Sequence, residues 1–410
     1  MQKKLSEVRL DAAAIRAHHR RVLLQLLRSH GPLSRRDLSR ASGLSPAAVM
    51  NVVVELVEAG LAEEEIPVTR EARVGRPSTD VALAAGTHHV LALQIGAGFL
   101  QAGVVDLTSQ VVASEQVRFP VPTAPDAVLA LADELLQRVM SSAGITLDQV
   151  LGLGVGVAGI VDAGRRINIS APTLGWTDVP IADHFERTLG VDVVLDHNVR
   201  AMAAGESRYG TGQGLESLAF VYVRTGVGAG LILGGAEYRG GTHGAVEIGH
   251  LRVEADGPVC TCGGRGCLET LVSDGVLRGR MIEAGLLAAD SAPDDRTWTE
   301  TFVAAVKAGD PQAAELRDDL VRHLSTALLN LVSLLNPQQI VLGGLLFDLA
   351  PVVVEPVRAA LVDQVMPVLR EGIRVDPPRF GADAGMIGAA TIALDSFVFG
   401  PPLLPAAQAD

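Results

Sequence analysis

The chain has 410 residues, 48% of them hydrophobic, and a formal net charge of −13 at neutral pH. That length buries more than one core, with two or three domains expected at about 150 residues each. So acidic a protein is not a nucleic-acid binder over its whole surface, and apolar runs such as Val150–Val161 are too short and glycine-rich for the roughly 20 residues of a membrane span.

The charge is unevenly spread. Residues 1–50 hold ten Lys and Arg against three acids, a local +7, whereas residues 51–80 carry −4. A small basic head on a large acidic body confines DNA contact to the head. The first predicted helix runs from Ala14 to Arg28, with Ile15, Val22, Leu23, Leu26 and Leu27 at helical spacing and His30-Gly31-Pro32 as its stop. Ser34 is placed to cap a second helix with Leu38 and Ala41 on its inner face. After a tight turn at Gly43, Ser45 and Pro46 supply an N-cap and a first-turn proline for a third helix reaching about Ala59. Two short helices across a glycine turn read as a helix-turn-helix, with a protein-interaction module as the alternative that the basic bias disfavours. Beyond Gly60, the residues Glu63, Glu64 and Glu65, then Val68 and Val74, suit a β-wing. In the DNA reading the third helix enters the major groove, with Ser45, Ala47, Ala48 and Asn51 near base edges and Arg35, Arg36 and Arg40 on phosphates. Arg76, in Gly75-Arg76-Pro77, either enters a narrow minor groove or belongs to a hinge between domains, the commoner use of such a tripeptide. The head, hinge included, spans residues 1–82.

From Val81 onward, runs of Val, Leu, Ile and Gly alternate with helical segments, the mark of an α/β fold. Three glycine-rich turns follow strands: Gln94 to Gly98, Arg224 to Gly230, and Gly343-Gly344. Each lets backbone N–H groups approach a phosphate, and none is specific alone. All three cysteines, Cys260, Cys262 and Cys267, lie within eight positions, ten residues after His250. Three thiolates and one imidazole complete a closed tetrahedral zinc shell, which is a structural site because catalytic zinc keeps a position open. A disulfide would strand one thiol and require an oxidising compartment. No apolar leader opens the sequence, so a cytoplasmic protein with reduced thiols is expected.

Together with Glu247-Ile248-Gly249-His250 and the cysteine loop, these stretches resemble the ROK family of repressors, open reading frames and sugar kinases over nearly the whole chain. The matching segments are Gly154–Gly159, Ala171–Trp176, Gly205-Glu206, Thr225–Gly230, Glu247–His250, Cys267-Leu268-Glu269 and Leu342–Gly344. The resemblance implies an actin-like, ribonuclease H-like two-lobed sugar-kinase fold behind a winged helix-turn-helix, with a hexose site between the lobes. A small lobe of 83–200 would be joined by a C-terminal helix at about 384–398. A large lobe of 201–383 would carry the zinc and the surface for a homodimer or homotetramer. Asn198, Glu247, His250, Glu269, Gly159 and Thr173 would face the sugar, with His250 giving one ring nitrogen to zinc and the other to the ligand. Thr173 stands where relatives often have Asn, and Trp176 either meets the sugar or packs the lobes. Two departures bear on catalysis. The family's kinases place Asp and Thr in the first phosphate turn where this chain has Gln94 and Gly98, and an aspartate base where it has Asn198. Asp196 could replace that base only if the loop shifted by two residues. The resemblance therefore implies a sugar-responsive repressor of carbohydrate-metabolism genes that binds operator DNA and does not phosphorylate its ligand. The alternatives are a sugar kinase with a DNA-binding head and a metal sensor using the cysteine cluster.

Overall fold

The computed structural model describes residues 12–65, 79–241, 246–289 and 297–400. The head comprises α1 (Ala12–His30), β1 (Leu33–Ser34), α2 (Arg35–Ser42), α3 (Pro46–Glu58), β2 (Ala62–Glu65) and β3 (Asp80–Leu83). Both expected caps form: the Ser34 hydroxyl accepts from the Asp37 N–H at 3.1 Å and the Ser45 hydroxyl from the Ala48 N–H at 3.2 Å. Gly43 adopts φ 70° between α2 and α3, a left-handed turn that other residues enter only with strain. Leu38 packs with Leu23, Leu27, Val49, Val53 and Leu56. Ala41, expected beside it, is exposed, because α2 ends one residue later and the chain turns away at Gly43.

The wing is an antiparallel sheet in the order β1-β3-β2, with Glu65 opposite Asp80 and Glu64 opposite Val81. In sequence, Gly75-Arg76-Pro77 falls between β2 and β3. Val68, Val74 and Arg76 themselves lie outside the described residues.

Two five-stranded sheets form the body, and they share one topology. The first holds β4 (His89–Gly96), β5 (Phe99–Asp106), β6 (Val111–Arg118), β7 (Val150–Val157) and β11 (Val193–His197), in the order β11-β7-β4-β5-β6. The helix α4 (Pro125–Ala143), a three-stranded flap of β8 (Ile160–Asp162), β9 (Ile167–Ala171) and β10 (Trp176–Val179), and α5 (Ile181–Leu189) complete this lobe. After α6 (Asn198–Tyr209), the second sheet contains β12 (Leu218–Val223), β13 (Val227–Leu233), β14 (Ala236–Glu237), β15 (Gln339–Gly344) and β16 (Val375–Asp376), in the order β14-β13-β12-β15-β16. Its helices are α7 (Glu269–Val272), α8 (Asp274–Glu283), α9 (Thr297–Lys307), α10 (Pro311–Leu335), α11 (Leu345–Asp348) and α12 (Ala350–Gln364). In each sheet an antiparallel meander is followed by two parallel strands, β7 and β11 in one and β15 and β16 in the other. The loops at the carboxyl ends of the parallel strands are where α/β folds place ligands.

The last helix, α13 (Ala384–Leu394), is buried at every residue, which accounts for its apolar character on all sides. It lies close against β7 and α6. A Cβ added at Gly154 would fall 2.0 Å from the Ala389 carbonyl oxygen, and one at Gly388 would fall 2.5 Å from the Ala201 backbone. The small-lobe boundary expected at residue 200 falls inside α6, a helix that also packs on β12 and β13 of the other lobe. Head and body share one core, in which Leu23 and Leu27 of α1 join Val90, Ile387 and Phe399.

Candidate functional site

The loop between β14 and α7 gathers His250, Cys260, Cys262 and Cys267, whose ligand atoms all lie within 4.8 Å of one another. Cys262 Sγ is 3.7 Å from Cys267 Sγ, and Cys260 Sγ is 3.6 Å from His250 Nδ1. Ligands on a tetrahedron with Zn–S of about 2.3 Å would be separated by about 3.8 Å, so the donor set and its spacing both fit zinc. The cysteines are free thiols, far beyond disulfide contact. Burial, then the adjacent Cys262 and Cys260, push the Cys267 thiol up to about 12. Without a cation, three such neighbours cannot all ionise. Gly266 is required for the loop to close: its φ is 70°, and a Cβ there would lie 1.7 Å from the Glu254 carbonyl oxygen.

His250 turns Nε2 the other way, 3.9 Å from Glu247 Oε2. One imidazole thus faces the Cys260 sulfur with Nδ1 and a half-exposed carboxylate with Nε2. Glu269, at the start of α7, accepts a hydrogen bond from the Val227 N–H at 3.1 Å. Gly249 packs on the other side of Val227, with its hypothetical Cβ 2.3 Å from the Val227 carbonyl oxygen. A Cβ on Gly228 would lie 3.2 Å from Val199 and 3.6 Å from His197, the two neighbours of Asn198. The segment Gly226-Val227-Gly228 thus contacts Glu269 directly and packs against the chain neighbours of His250 and Asn198. Asn198 is buried at the first position of α6, and its Oδ1 accepts from the Val199 N–H at 2.9 Å. Gly159 and Thr173 belong to the facing flap of β8 to β10. Gly159 has φ 95°, and a Cβ there would strike the Ser170 carbonyl at 2.3 Å, so flap geometry alone requires glycine. Thr173 is exposed, while Trp176 is buried and donates its indole N–H to the Thr123 carbonyl at 3.1 Å, which makes it a packing residue.

Asp196 is not a free base. Its buried carboxylate accepts from Arg200 Nε at 2.7 Å and from Arg239 at 2.6 Å, and so joins the edge of the small-lobe sheet to the loop that follows β14. His197 beside it is held neutral, its pKa lowered to about 4 by burial and the Arg200 charge.

The cleft between the glycine turns is lined by Gln94, Phe99, Tyr222, Arg224, Asp348 and Gly385 among others. Gln94 is buried, with its amide so close to Gly385 that a Cβ there would fall 1.8 Å from it. Arg224 projects from the second glycine turn and pairs with Asp348 at 2.9 Å and Asp274 at 3.8 Å. The Arg224 guanidinium is thus held by two carboxylates at the edge of this cleft. Sequence reasoning passed over Arg224 because the surrounding glycines dominate the motif.

On the head, Arg36 and Arg40 are exposed, but Arg35 pairs with Glu64 of the wing. The Ser45 hydroxyl is engaged as a cap, Ala48 is half-buried, and Ala47 and Asn51 are exposed. Met50 and Val54, which sequence reasoning did not single out, share that open face. A second group it missed joins head to body. Arg28 of α1 binds Asp395, just after α13, at 2.5 Å and stacks on Phe399 at 4.5 Å. Arg208 of α6 approaches the same carboxylate at 3.4 Å, and Gln25 donates to the Phe399 carbonyl at 2.9 Å.

Comparison with known proteins agrees with this architecture. The ROK family model matches residues 90–396, and a winged helix-turn-helix DNA-binding model matches residues 16–63. The chain belongs to the ROK family. It is 28% identical over 379 residues to the DNA-binding transcriptional repressor Mlc of Escherichia coli K12, covering 90% of this chain and 91% of Mlc. A crystal structure of a ROK family transcriptional regulator, a homologue of E. coli Mlc, superposes with TM-score 0.79 at 26% identity, over 94% of this chain and 97% of that one. A ROK glucokinase from Streptomyces griseus in complex with glucose and AMPPNP gives TM-score 0.66 at 30% identity, over 74% of this chain and 98% of the kinase. Both activities thus occur among ROK relatives on one body fold.

Proposed function

We propose that this ROK protein is a sugar-responsive transcriptional repressor of carbohydrate-metabolism genes, which binds operator DNA through its head and a sugar in the body cleft without phosphorylating it. The observation that carries the reading is a winged helix-turn-helix that shares one core with a ROK body; the Arg224–Asp348 pair beside the second glycine turn supports it, since it would compete with a nucleotide phosphate there. Gln94 and Gly98 in the first phosphate turn, and Asn198 at the base position, argue the same way, since an amide cannot take the proton of a sugar hydroxyl. Asp196 offers no rescue while two arginines hold it. The sugar would meet Asn198, Glu247, His250 and Glu269, whose donors and acceptors match hydroxyl groups. His250, Cys260, Cys262 and Cys267 would hold one structural zinc, which fixes the orientation of His250 and supplies no reaction chemistry.

The path to DNA follows two helices. Both α6, from Asn198 to Arg208, and α13, from beside Gln94 to Asp395, begin at the cleft and end at the buried charges that grip α1. A sugar that prefers the closed lobes would move both helices and, in a cytoplasmic dimer or tetramer, the spacing of paired heads. About 5.5 kcal/mol of preference takes such a switch from 1:99 to 99:1. The test is anisotropy of a labelled operator during titration with pentoses and hexoses. Weakened DNA binding by one sugar is expected, and no response at millimolar concentration would remove the effector role. Product formed with ATP, Mg²⁺ and a hexose would favour the kinase reading. Zinc release that switches DNA affinity would favour the metal sensor.

A further inference from the structure

We infer that α3 reads the C5-methyl groups of thymine through Met50 and Val54, so that the base pairs facing its first two turns are A·T. The inference rests on the DNA-binding reading above and deepens it. At 3.6 residues per turn, Val49, Val52, Val53 and Leu56 form the buried side of α3, and Ala47, Met50, Asn51 and Val54 fall within about 100° of arc on the opposite side. Met50 is 57% exposed and Val54 46% exposed, apolar surface that nothing among the described residues of the head covers. An apolar strip on an outward face has to meet an apolar partner to gain from burial.

The polar groups around the strip select which partner. No Lys or Arg occurs between Pro46 and Glu58, so this helix cannot make the bidentate Arg–guanine contact that most often specifies G·C. Its single amide on the face is Asn51, which matches the N6 donor and N7 acceptor of adenine. Glu55 and Glu58 occupy the last turn and are repelled by phosphates, so the N-terminal half must be the part that enters. That end carries the positive helix dipole, and Arg36 and Arg40 of the preceding helix α2 are exposed cations that complement the DNA backbone. In the major groove, the apolar feature that distinguishes one pair from another is the thymine methyl. A second copy of the head is the rival occupant, and it would bury Met50 and Val54 without regard to DNA sequence.

The full-length protein is used to select a half-site from a random duplex library. Each thymine of that half-site is then replaced singly by deoxyuridine, which lacks only the methyl group. Affinity should fall about fourfold at each contacted thymine, the value of one buried methyl group. In Met50→Ala the substitution read by Met50 should cease to matter, and likewise for Val54→Ala, while binding to non-specific duplex stays unchanged. If a specific site is selected but presents G·C pairs to α3, or tolerates uracil throughout, this inference fails and the DNA-binding reading stands. If Met50→Ala leaves operator affinity intact but weakens self-association, the second copy owns the face and the inference fails again. If no duplex is selected, both readings fail.

Discussion

Asp395→Asn should disconnect the cleft from the head. The Asp395 carboxylate is shared by Arg28 of α1 and Arg208 of α6, and the three side chains are 11%, 8% and 9% exposed. Replacing it with an amide leaves two buried guanidinium groups without an anion, and removing one partner of a buried pair costs about 3–5 kcal/mol. The lower end applies here, because the Arg28 stack on Phe399 and the Gln25 bond to the Phe399 carbonyl survive the change. About 3 kcal/mol shifts the ratio of docked to undocked heads by about a hundredfold. The variant should keep its head fold and its affinity for DNA, yet lose most of the difference in affinity that sugar produces. Anisotropy with and without the sugar that most stabilises the protein in a thermal-shift panel measures the coupling, and hydrogen exchange across α1 measures the docking. A variant with loosened α1 and an undiminished sugar response would refute the reasoning, since α6 and α13 would then not carry the signal. Asp395→Glu, which retains the charge, should lie between the two.

Three further outcomes are expected. The purified protein should contain one zinc per chain by mass spectrometry, and Cys262→Ser or His250→Ala should lose it and lower the melting temperature; because the Cys267 thiol stands near 12 without metal, zinc uptake should release protons and tighten as pH rises. Asn198→Asp alone should yield no sugar phosphate from ATP, whereas adding Gln94→Asp and Arg224→Gly should restore nucleotide binding measurable by calorimetry; turnover by the single variant would contradict the reading of Arg224 as an obstacle. His197 has its pKa lowered from 6.5 to about 4, so the unfolded chain takes up its proton first, and the stability present above pH 6.5 should decline, by up to about 3 kcal/mol, as pH falls towards 4. Denaturant titrations of His197→Gln should show a flatter acid limb, and an unchanged slope would exclude His197 as the cause.

Much of the candidate site follows from local spacing. The cysteine loop needs only short glycine-rich segments to bring its ligands together, and the caps at Ser34 and Ser45 act on N–H groups three residues away. Gln94, Gly98 and Asn198 drew notice because each sits inside a stretch that resembles the family's motifs. The pairing of Glu65 with Asp80 joins segments with fourteen residues between them, which spacing along the chain does not reveal. Ala41 was placed inside from helical phase alone, which does not say where a two-turn helix ends.

The amino-acid order by itself determined the fold class, the helix-turn-helix with its caps and the His/Cys cluster that could hold a metal, since these are set by neighbours along the chain. Only the tertiary structure decided that Asp196 is bound by Arg239, that Arg224 meets Asp348, and that Arg28 meets Asp395 across 367 positions. Each joins distant segments whose approach is fixed by sheet register and by glycines that let helices touch, and a charge gains or loses its chemistry according to what is packed against it.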